Sequence, residues 1–412
     1  MHPRNLYKDN APDFRSLAKL FPSFQPLQLT LCLLKRDFGL EIDFPLDTLC
    51  PPVPNRLNYI LWLEDILAET TQADAETVIS GIDIGVGASC IYPLLGCANN
   101  KNWRFVGTEI DKRSLEYAKK NVWRNKLSDR IRLIHNMDAT KIFNFLESDD
   151  SRYAFSMCNP PFYESKEEIE EAYLSKDLAP SAVCMGTENE MITEGGEYGF
   201  LKRMIQESLI YKERIRWYTS LIGQKKSIKP LVRLLKYEKI NNYVVTEFSQ
   251  GRTKRWAIAW SFFPARAVTV KSLEFYRPKC RFVLIIPKSM DFADSQLDAI
   301  FQDLNVTTNV SRSNASISLR GEPLHNTWSR AARRQKKRQR VEEKIEDVAD
   351  ANSDPLFGFD VRLQPTESVN ECEVMISWLN GEDRNVFESF WNHVKKRLQE
   401  ACGIKTGSAF AA

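Results

Sequence analysis

Four consecutive residues, Asn159, Pro160, Pro161 and Phe162, are the part of this 412-residue sequence best suited to chemistry. The two prolines restrict the backbone, so the amide oxygen of Asn159 and the carbonyl oxygen of Pro160 can be held in one direction. Two acceptors that bind both N–H groups of a flat exocyclic amine favour a pyramidal nitrogen, whose lone pair can attack the methyl group of a sulfonium. Phe162 offers a ring on which a base can stack, worth about 1–3 kcal/mol. The alternative interpretation is a proline turn beside a buried aromatic ring.

A second set of candidate residues surrounds a glycine turn. Asp83, Gly85 and Gly87 lie at the end of the β-rich run TVISGIDIG, and a helical stretch follows. Glycines at such a place let the backbone turn sharply and approach a ligand closely. Glu109 ends the next predicted strand, WRFVGTEI, where an acid can hydrogen-bond both hydroxyl groups of a ribose. The alternative interpretation is a purely structural turn, which any doubly wound protein can have.

The residues of this turn favour S-adenosylmethionine over a dinucleotide. A dinucleotide site has three glycines in the pattern G-x-G-x-x-G, whereas Cys90 stands here at the third glycine position and Asp83 precedes the turn. A carboxylate there repels a pyrophosphate, but it suits the ammonium group of the methionine end of S-adenosylmethionine.

These residues need a parallel sheet to bring them together. Glu109 comes 24 residues after Gly85 (109 − 85), and Asn159 comes 50 residues after Glu109 (159 − 109), each at the end of a predicted strand. Strands alternate with helical stretches from residue 76 to residue 265, which predicts βαβ units whose carboxyl edge binds ligands. We therefore predict an α/β fold: a Rossmann-like class I methyltransferase domain over 76–265 with an N-terminal helical extension over 1–75. A small α+β domain is expected over 266–412.

Composition and charge exclude several other classes of protein. The chain has 57 Lys and Arg against 54 Asp and Glu, a net charge of +3, so any nucleic-acid contact must depend on where the charges lie. Nine cysteines form no CxxC pair and the four histidines are scattered, which predicts neither a metal site nor a disulfide framework. The N-terminus has no apolar signal region, and no apolar run approaches membrane length. We expect a reduced, intracellular, soluble protein.

Basic residues suited to phosphate groups occur in several places. Seven positive charges and no acid fall in the eleven residues from Arg330 to Arg340, within an expected basic helix over 326–348. Such density is typical of a phosphate-binding helix or a nuclear localisation signal, the alternative being a solvated helix face. The candidates for nucleic-acid contact are Arg4, Lys8, Lys202, Arg203, Arg252, Lys254, Arg255, Arg333, Arg334, Lys336, Lys337 and Arg338.

Several long blocks resemble one known family. They are MHPRNLYKDNAPDF, VPNRLNYILWLEDI, GIDIGVGASCIYPLLG, YAKKNVWRNKLSD, MCNPPF, TEGGEYGFLKRMI and QGRTKRWAIAWSF. Together they are similar to the eukaryotic U6 snRNA adenosine methyltransferases (methyltransferase-like protein 16), and more distantly to bacterial large-subunit ribosomal RNA adenine methyltransferases. The resemblance runs over about residues 1–265.

The resemblance implies methyl transfer from S-adenosylmethionine to the 6-amino group of an adenosine in structured RNA. The implied RNA is chiefly U6 snRNA, with mRNA hairpins as a further class, and the implied C-terminal domain binds RNA. Implied cofactor contacts fall on Arg56, Gly85, Ser89, Glu109, Thr140 and Asn159. We expect a monomer in the nucleus, with the cytoplasm as a second location. Two alternatives remain: an RNA-binding scaffold with little turnover, and a protein glutamine methyltransferase.

Overall fold

The computed structural model divides the chain into two compact units. The first unit comprises Met1–Phe263 and Val270–Pro278, and the second comprises Pro264–Thr269 and Lys279–Ala412. The structure describes residues 1–9, 29–71, 77–174, 186–250, 253–313, 315–330, 332, 354–368 and 370–404. The three functional parts drawn from the sequence, with boundaries at residues 75 and 265, stay a prediction.

Within the described part of residues 1–78, two helices precede the first sheet. They are α1 (Leu29–Phe38) and α2 (Val53–Thr70). Gly39 follows α1 with φ +65°, a backbone conformation that suits glycine at a helix end. Proline begins α2, where a missing N–H is tolerated, and most of this helix is buried. Residues 10–28, before α1, lie outside the described residues.

A seven-stranded sheet forms the centre of the first unit. Its strands are β1 (Ile79–Ile84), β2 (Trp103–Glu109), β3 (Ile131–His135), β4 (Tyr153–Cys158), β5 (Ile215–Ile222), β6 (Asn242–Gln250) and β7 (Thr253–Ser261). The order is β3-β2-β1-β4-β5-β7-β6, and β7 is antiparallel to both of its neighbours. β1 to β5 pair in parallel. The prediction of a Rossmann-like α/β sheet is therefore confirmed.

The helices of this unit cover the sheet through apolar faces. They are α3 (Ile91–Asn99), α4 (Lys112–Arg124), α5 (Lys166–Leu174), α6 (Glu188–Met191), α7 (Gly196–Tyr211) and α8 (Ile228–Tyr237). Short 3-10 helices are Asn144–Glu147, Lys212–Arg214, Lys225–Ser227 and Glu274–Tyr276. In α8 the buried positions recur at helical spacing, so one side joins the core and the other faces solvent.

The second unit is an antiparallel sheet with helices. Its elements are β8 (Arg281–Ile286), α9 (Met290–Asp303), β9 (Thr308–Arg312), β10 (Ile317–Gly321), β11 (Phe357–Pro365), β12 (Cys372–Gly381) and α10 (Arg384–Ala401). The strand order is β8-β12-β11-β10-β9. Trp328, Phe357 and Phe390 are buried together in its core, with ring centroids 5.0–5.8 Å apart. This agrees with the α+β pattern expected for the C-terminal region.

The basic helix expected over 326–348 begins later than predicted. Helical structure starts at Arg330, and Ser329 accepts a hydrogen bond from the N–H of Ala332 at 3.2 Å, as a helix N-cap does. Trp328 is part of the core rather than of a helix, because its large ring is drawn into the apolar interior. Residue 331 and residues 333–353 lie outside the described residues, and so do Arg333, Arg334, Lys336, Lys337 and Arg338. Arg252 lies outside them as well.

Candidate active site

A cavity of about 300 Å³ opens at the carboxyl edge of β1, β2 and β4. This is the edge at which open parallel sheets bind ligands, and the volume lies in the range of small-molecule sites. Many of the residues singled out from the sequence line it. They are Arg56, Gly85, Gly87, Ser89, Glu109, Asn159 and Pro161.

The glycine turn brings backbone rather than side chains to the cavity. Gly85 has φ +72°, and its N–H donates to the carbonyl of Thr108 at 2.9 Å. A Cβ built on Gly85 would meet nothing within 4 Å, so that space is open to a ligand. Gly87 has φ +62°, and α3 begins after Cys90. The turn therefore has the close-approach geometry that its glycines predicted.

Glu109 is held at the cavity wall by backbone donors. Its Oε2 accepts from the N–H of Gly87 at 2.8 Å, and its Oε1 accepts from Ile110 and Asp111 at 2.8 and 3.0 Å. Burial raises the pKa of this carboxyl, although the three N–H groups act in the opposite direction. Each carboxylate oxygen has two acceptor positions, so Oε2 retains one for a ribose hydroxyl.

Asp83 is a buried carboxylate with no hydrogen-bond partner for either oxygen among the described residues. Burial and, next, the charge of Glu109 raise its pKa well above the ordinary value, while Arg56 acts against this. Arg56 donates from Nη1 to the hydroxyl of Tyr92 at 2.8 Å, and its buried Nε also lacks a partner. An orphaned acid and an orphaned guanidinium N–H are what the ammonium and carboxylate of an amino acid would satisfy. The residues present therefore fit the methionine end of S-adenosylmethionine.

The Asn159–Phe162 segment follows β4 at the same edge. Asn159 and Pro161 line the cavity, whereas Pro160 is buried. Phe162 lies beside Gly223, where a Cβ would come within 2.6 Å of its ring. Gln224 donates from Nε2 to the carbonyl oxygen of Phe162 at 2.7 Å. The segment after β5 thus fixes both the ring and the backbone of Phe162.

Glu197 holds the two residues, Gly223 and Gln224, that contact Phe162. It lies in the first turn of α7 and is only 2% exposed. Its two carboxylate oxygens accept from the N–H groups of Gly223 and Gln224, the latter at 3.2 Å. Burial raises the pKa of this carboxyl. The last acid of the loop TEGGE is therefore buried against the segment after β5 that contacts Phe162.

Residues 186–193 form a wall of the cavity opposite the sheet. Glu190 accepts at Oε2 from the N–H groups of Thr187 and Leu49, at 2.8 and 3.2 Å. Tyr163, which follows Phe162, donates its N–H to the carbonyl oxygen of Met191 and accepts at its own carbonyl oxygen from the N–H of Thr193, both at 3.0 Å. This wall is therefore tied directly to the residue after Phe162.

Several predicted cofactor or catalytic residues do not line the cavity. Asp83 and Pro160 are buried and are not among its lining residues, and neither is the partly exposed Phe162. Thr140 is exposed, and both its N–H and its hydroxyl donate to Asp138. Its neighbours Ala139 and Lys141 do line the cavity, so the backbone of this loop reaches the site although the threonine side chain points elsewhere.

The described RNA candidates have different surroundings. Arg4 pairs with two acids of α2, at 2.6 and 2.7 Å. Lys254 pairs with Glu247 at 3.0 Å, whereas Lys8 and Lys202 are exposed and have no ion pair among the described residues.

Two further RNA candidates reach the site itself. Arg255 is exposed and lies 6.0 Å from the Phe162 ring centroid. Arg203 lines the cavity and donates to the hydroxyl of Thr193 at 2.9 Å. Arg203 is therefore part of the cavity wall rather than of a separate basic surface.

Sequence reasoning missed Tyr92, Glu190 and Glu197 as parts of the site. Each reaches it through a contact between residues far apart in the chain, such as the 26 positions between Glu197 and Gly223. The only local signal was the glycine pair before Glu197. Within the described ranges no His, Cys, Asp and Glu side chains gather into a group that could hold a metal. No helix in those ranges is both long and apolar enough to cross a membrane.

Comparison with known proteins agrees with this geometry. Residues 26–264 match the model of a family described as RNA methyltransferase. Human RNA N(6)-adenosine-methyltransferase METTL16 is 38% identical over 421 residues, covering 91% of this chain and 74% of that protein. The U6 small nuclear RNA (adenine-(43)-N(6))-methyltransferase of Schizosaccharomyces pombe is 35% identical over 376 residues, covering 89% of this chain and 91% of that protein.

Solved structures resemble the first unit. The hMettl16 catalytic domain in complex with MAT2A 3′UTR hairpin 1 matches with a TM-score of 0.58 and 42% identity, covering 64% of this chain and 96% of that chain. The N-terminal domain of human METTL16 in complex with SAH matches with a TM-score of 0.53 and 41% identity, covering 64% of this chain and 99% of that one.

Proposed function

Since this chain belongs to the METTL16 family of RNA N(6)-adenosine methyltransferases, we propose that its cavity and catalytic segment methylate one adenosine of U6 snRNA. The chain is an S-adenosylmethionine-dependent RNA methyltransferase that acts on the 6-amino group of adenosine. The second substrate class is an mRNA hairpin, in keeping with the hairpin held by the related catalytic domain. The resemblance drawn from the sequence is thus confirmed.

The observation that carries the proposal is the position of Asn159 beside the cofactor cavity. Asn159 shares that cavity with Glu109 and with the glycine turn around Gly85. A methyl donor held by the turn and the acid therefore lies next to the amide that binds the acceptor amine. The related structure with SAH, the product form of the donor, supports the same cofactor.

In the proposed mechanism the protein binds the adenine and orients its 6-amino group toward the methyl group of the cofactor. S-adenosylmethionine supplies a methyl group on a sulfonium, whose carbon–sulfur bond breaks as the carbon–nitrogen bond forms. Asn159 Oδ1 and the Pro160 carbonyl accept from the two amine N–H groups, and Phe162 stacks the adenine. These acceptors act on a neutral amine, so no side-chain base must remove a proton before the attack. The methylated nitrogen carries a positive charge after the transfer and then releases one proton to water, while the sulfonium becomes the neutral thioether of SAH.

The cofactor is bound by charged groups at both of its ends. Glu109 accepts from one ribose hydroxyl at the acceptor position that its Oε2 retains, Asp83 balances the ammonium group, and Arg56 binds the carboxylate. Because Gly85 and Gly87 have no side chains, the cofactor can approach the protein backbone closely at this turn. Ser89, just before α3, also lines the cavity. For the exposed basic residues Lys8, Lys202, Lys254 and Arg255, and for those outside the described ranges, contact with RNA phosphates remains our proposal.

A single-turnover assay with labelled S-adenosylmethionine tests the function. It compares a U6 snRNA transcript, the same transcript with its candidate adenosine replaced, and an unrelated hairpin. We expect transfer to the intact transcript, loss of transfer in Asn159→Ala by at least about a hundredfold, and unchanged RNA affinity. Tight RNA binding without transfer by the unaltered protein would instead support a scaffold. The glutamine methyltransferase alternative requires transfer to a protein. A parallel reaction in which a protein mixture replaces the RNA detects such transfer.

Location and assembly complete the proposal. We place the protein in the nucleus, with the cytoplasm as a second location, because U6 is a small nuclear RNA and the segment from Arg330 to Arg340 is densely basic. We propose that it acts as a monomer. Cell fractionation of the wild type and of a variant lacking those charges tests the first point, and light scattering after gel filtration tests the second.

A further inference from the structure

The segment from residue 224 to residue 240 carries a strong local charge. It contains six basic residues and one acid, a net charge of +5 (6 − 1), whereas the entire chain has a net charge of +3. All six basic side chains are exposed: Lys225, Lys226, Lys229, Arg233, Lys236 and Lys239. Positive charge that is concentrated in this way creates a local field for an anionic partner.

The helix α8 arranges these charges in a row. Ile228, Leu231, Val232 and Leu235 are buried on its inner side. Lys229, Arg233 and Lys236 have the spacing i, i+4, i+7, which places them on one outer face with successive Cβ atoms about 5–6 Å apart. We call the three residues Lys229, Arg233 and Lys236 the basic ridge.

The ridge is not neutralised by acids of the fold. Lys226, just before α8, pairs with Glu168 at 3.1 Å. Among the residues that the structure describes, the three ridge side chains have no ion pair. An exposed cation without an ion pair can bind a phosphate without first breaking a contact within the protein, and the small ions released from the RNA favour the binding.

The ridge starts at the catalytic edge of the sheet. Gln224, four residues before α8, holds the carbonyl oxygen of Phe162. The helix follows β5 and packs on the core, so it runs back along the flank of the sheet, away from that edge, for about 15 Å. Tyr237 at its far end is 81% exposed. A polymer bound at Phe162 can therefore continue along the ridge.

We infer that the basic ridge binds the phosphate backbone of the RNA that flanks the acceptor adenosine. This inference rests on the proposed function, because that function places an RNA nucleotide on Phe162. A membrane would need exposed apolar side chains beside the cations, and Tyr237 is the one large exposed ring on α8. Glu168 of α5 already pairs with Lys226, so we expect the contact with phosphates to begin at Lys229, the first residue of the basic ridge.

The test removes the ridge charges from the full-length protein. The variant is Lys229→Gln/Arg233→Gln/Lys236→Gln, since glutamine keeps a good helix propensity. The matched control is Lys101→Gln/Lys119→Gln/Lys120→Gln, which removes three exposed charges near β2 and α4, toward the opposite end of the same sheet. Both variants are assayed for affinity to the U6 transcript at several salt concentrations and for thermal unfolding.

For the ridge variant we expect RNA affinity to fall by about tenfold at physiological salt and the salt slope to fall by about 2–3. The affinity for SAH and the single-turnover rate at saturating RNA stay unchanged, because the ridge does not line the cavity. The control binds RNA as the wild type does.

Two outcomes overturn the inference. One is a ridge variant with the affinity and salt slope of the wild type. The other is an equal loss in ridge and control variants, which would show a general charge effect. The salt slope is read from binding alone, so a wild type that binds RNA but transfers no methyl group refutes the proposed function without deciding on the ridge.

Discussion

Replacing Glu197 should separate cofactor binding from methyl transfer. Glu197 does not line the cavity, yet it accepts from the N–H groups of Gly223 and Gln224, and Gln224 in turn holds Phe162. In Glu197→Ala both N–H groups lose their buried acceptor. Each such loss costs about 1–3 kcal/mol, so the free energy of unfolding should fall by about 2–6 kcal/mol.

The effect on catalysis follows from Phe162. Stacking of a base on an aromatic ring is worth about 1–3 kcal/mol, and about 1.4 kcal/mol corresponds to a tenfold change in rate. If the ring loses its support, the single-turnover rate at saturating substrates should fall by about tenfold to a hundredfold. The dissociation constant of SAH should stay within about twofold of the wild type.

Glu197→Gln is the milder variant and carries a pH signature. Glutamine keeps one carbonyl acceptor but turns an NH₂ group toward the other N–H, so about half of the stability loss is expected. Burial raises the pKa of Glu197 in the folded state. A carboxyl with a raised pKa favours folding most at low pH, and this contribution fades as pH rises from the ordinary carboxyl pKa through the raised one. The stability deficit of Glu197→Gln should therefore be larger at pH 5 than at pH 8.

Glu194→Gln is the matched control, because Glu194 is exposed and lies in the same loop. It should leave unfolding, SAH binding and methyl transfer unchanged. Stability is measured by denaturant titration and transfer by the labelled assay. A fully active and fully stable Glu197→Ala, or a loss of SAH affinity as large as the loss of rate, would refute the positioning role assigned to Glu197.

Three other variants probe separate parts of the chain. Asp83→Asn removes the acid that would balance the ammonium group of the cofactor, so calorimetry should show at least tenfold weaker cofactor binding; unchanged affinity would contradict the role of Asp83. Gly223→Ala places a Cβ within 2.6 Å of the Phe162 ring, so methyl transfer should fall by about tenfold or more with SAH binding retained, and a fully active variant would show that the ring can move freely. Trp328→Ala empties part of the second core at a cost of about 3–5 kcal/mol, so RNA affinity should fall in filter-binding assays while SAH binding persists; unchanged RNA affinity would count against an RNA-binding role of the second unit.

Local sequence patterns were enough to predict three strands of the sheet and the candidate residues at their carboxyl ends. The runs TVISGIDIG, WRFVGTEI and YAFSMC became β1, β2 and β4, and the glycine turn, Glu109 and Asn159 each follow from a strand end. Parallel strands align their carboxyl ends, so residues that are far apart in the chain but each at a strand end must meet. This rule needs only the order of elements along the sequence.

The same patterns could not assign partners to long charged side chains. Arg4, a candidate for RNA contact, pairs with Glu64 and Asp65, about 60 positions away in the chain. Arg203, another candidate, lines the cavity and donates to Thr193. An arginine side chain can extend in many directions, and the acid or carbonyl that it meets depends on which helix packs beside it.

Three parts of the candidate site, the Asn159–Phe162 segment, the glycine turn and Glu109, could be identified from the sequence, because each lies within a single strand–turn unit. The side chains that support them became visible only in the folded structure. Glu197 reaches the segment behind Phe162 because α7 packs beside β5, and the basic ridge starts at the catalytic edge because α8 follows that strand. The reason is physical: a turn is set by the torsion angles of a few neighbouring residues, whereas a buried acid finds its donors only when distant elements close around it.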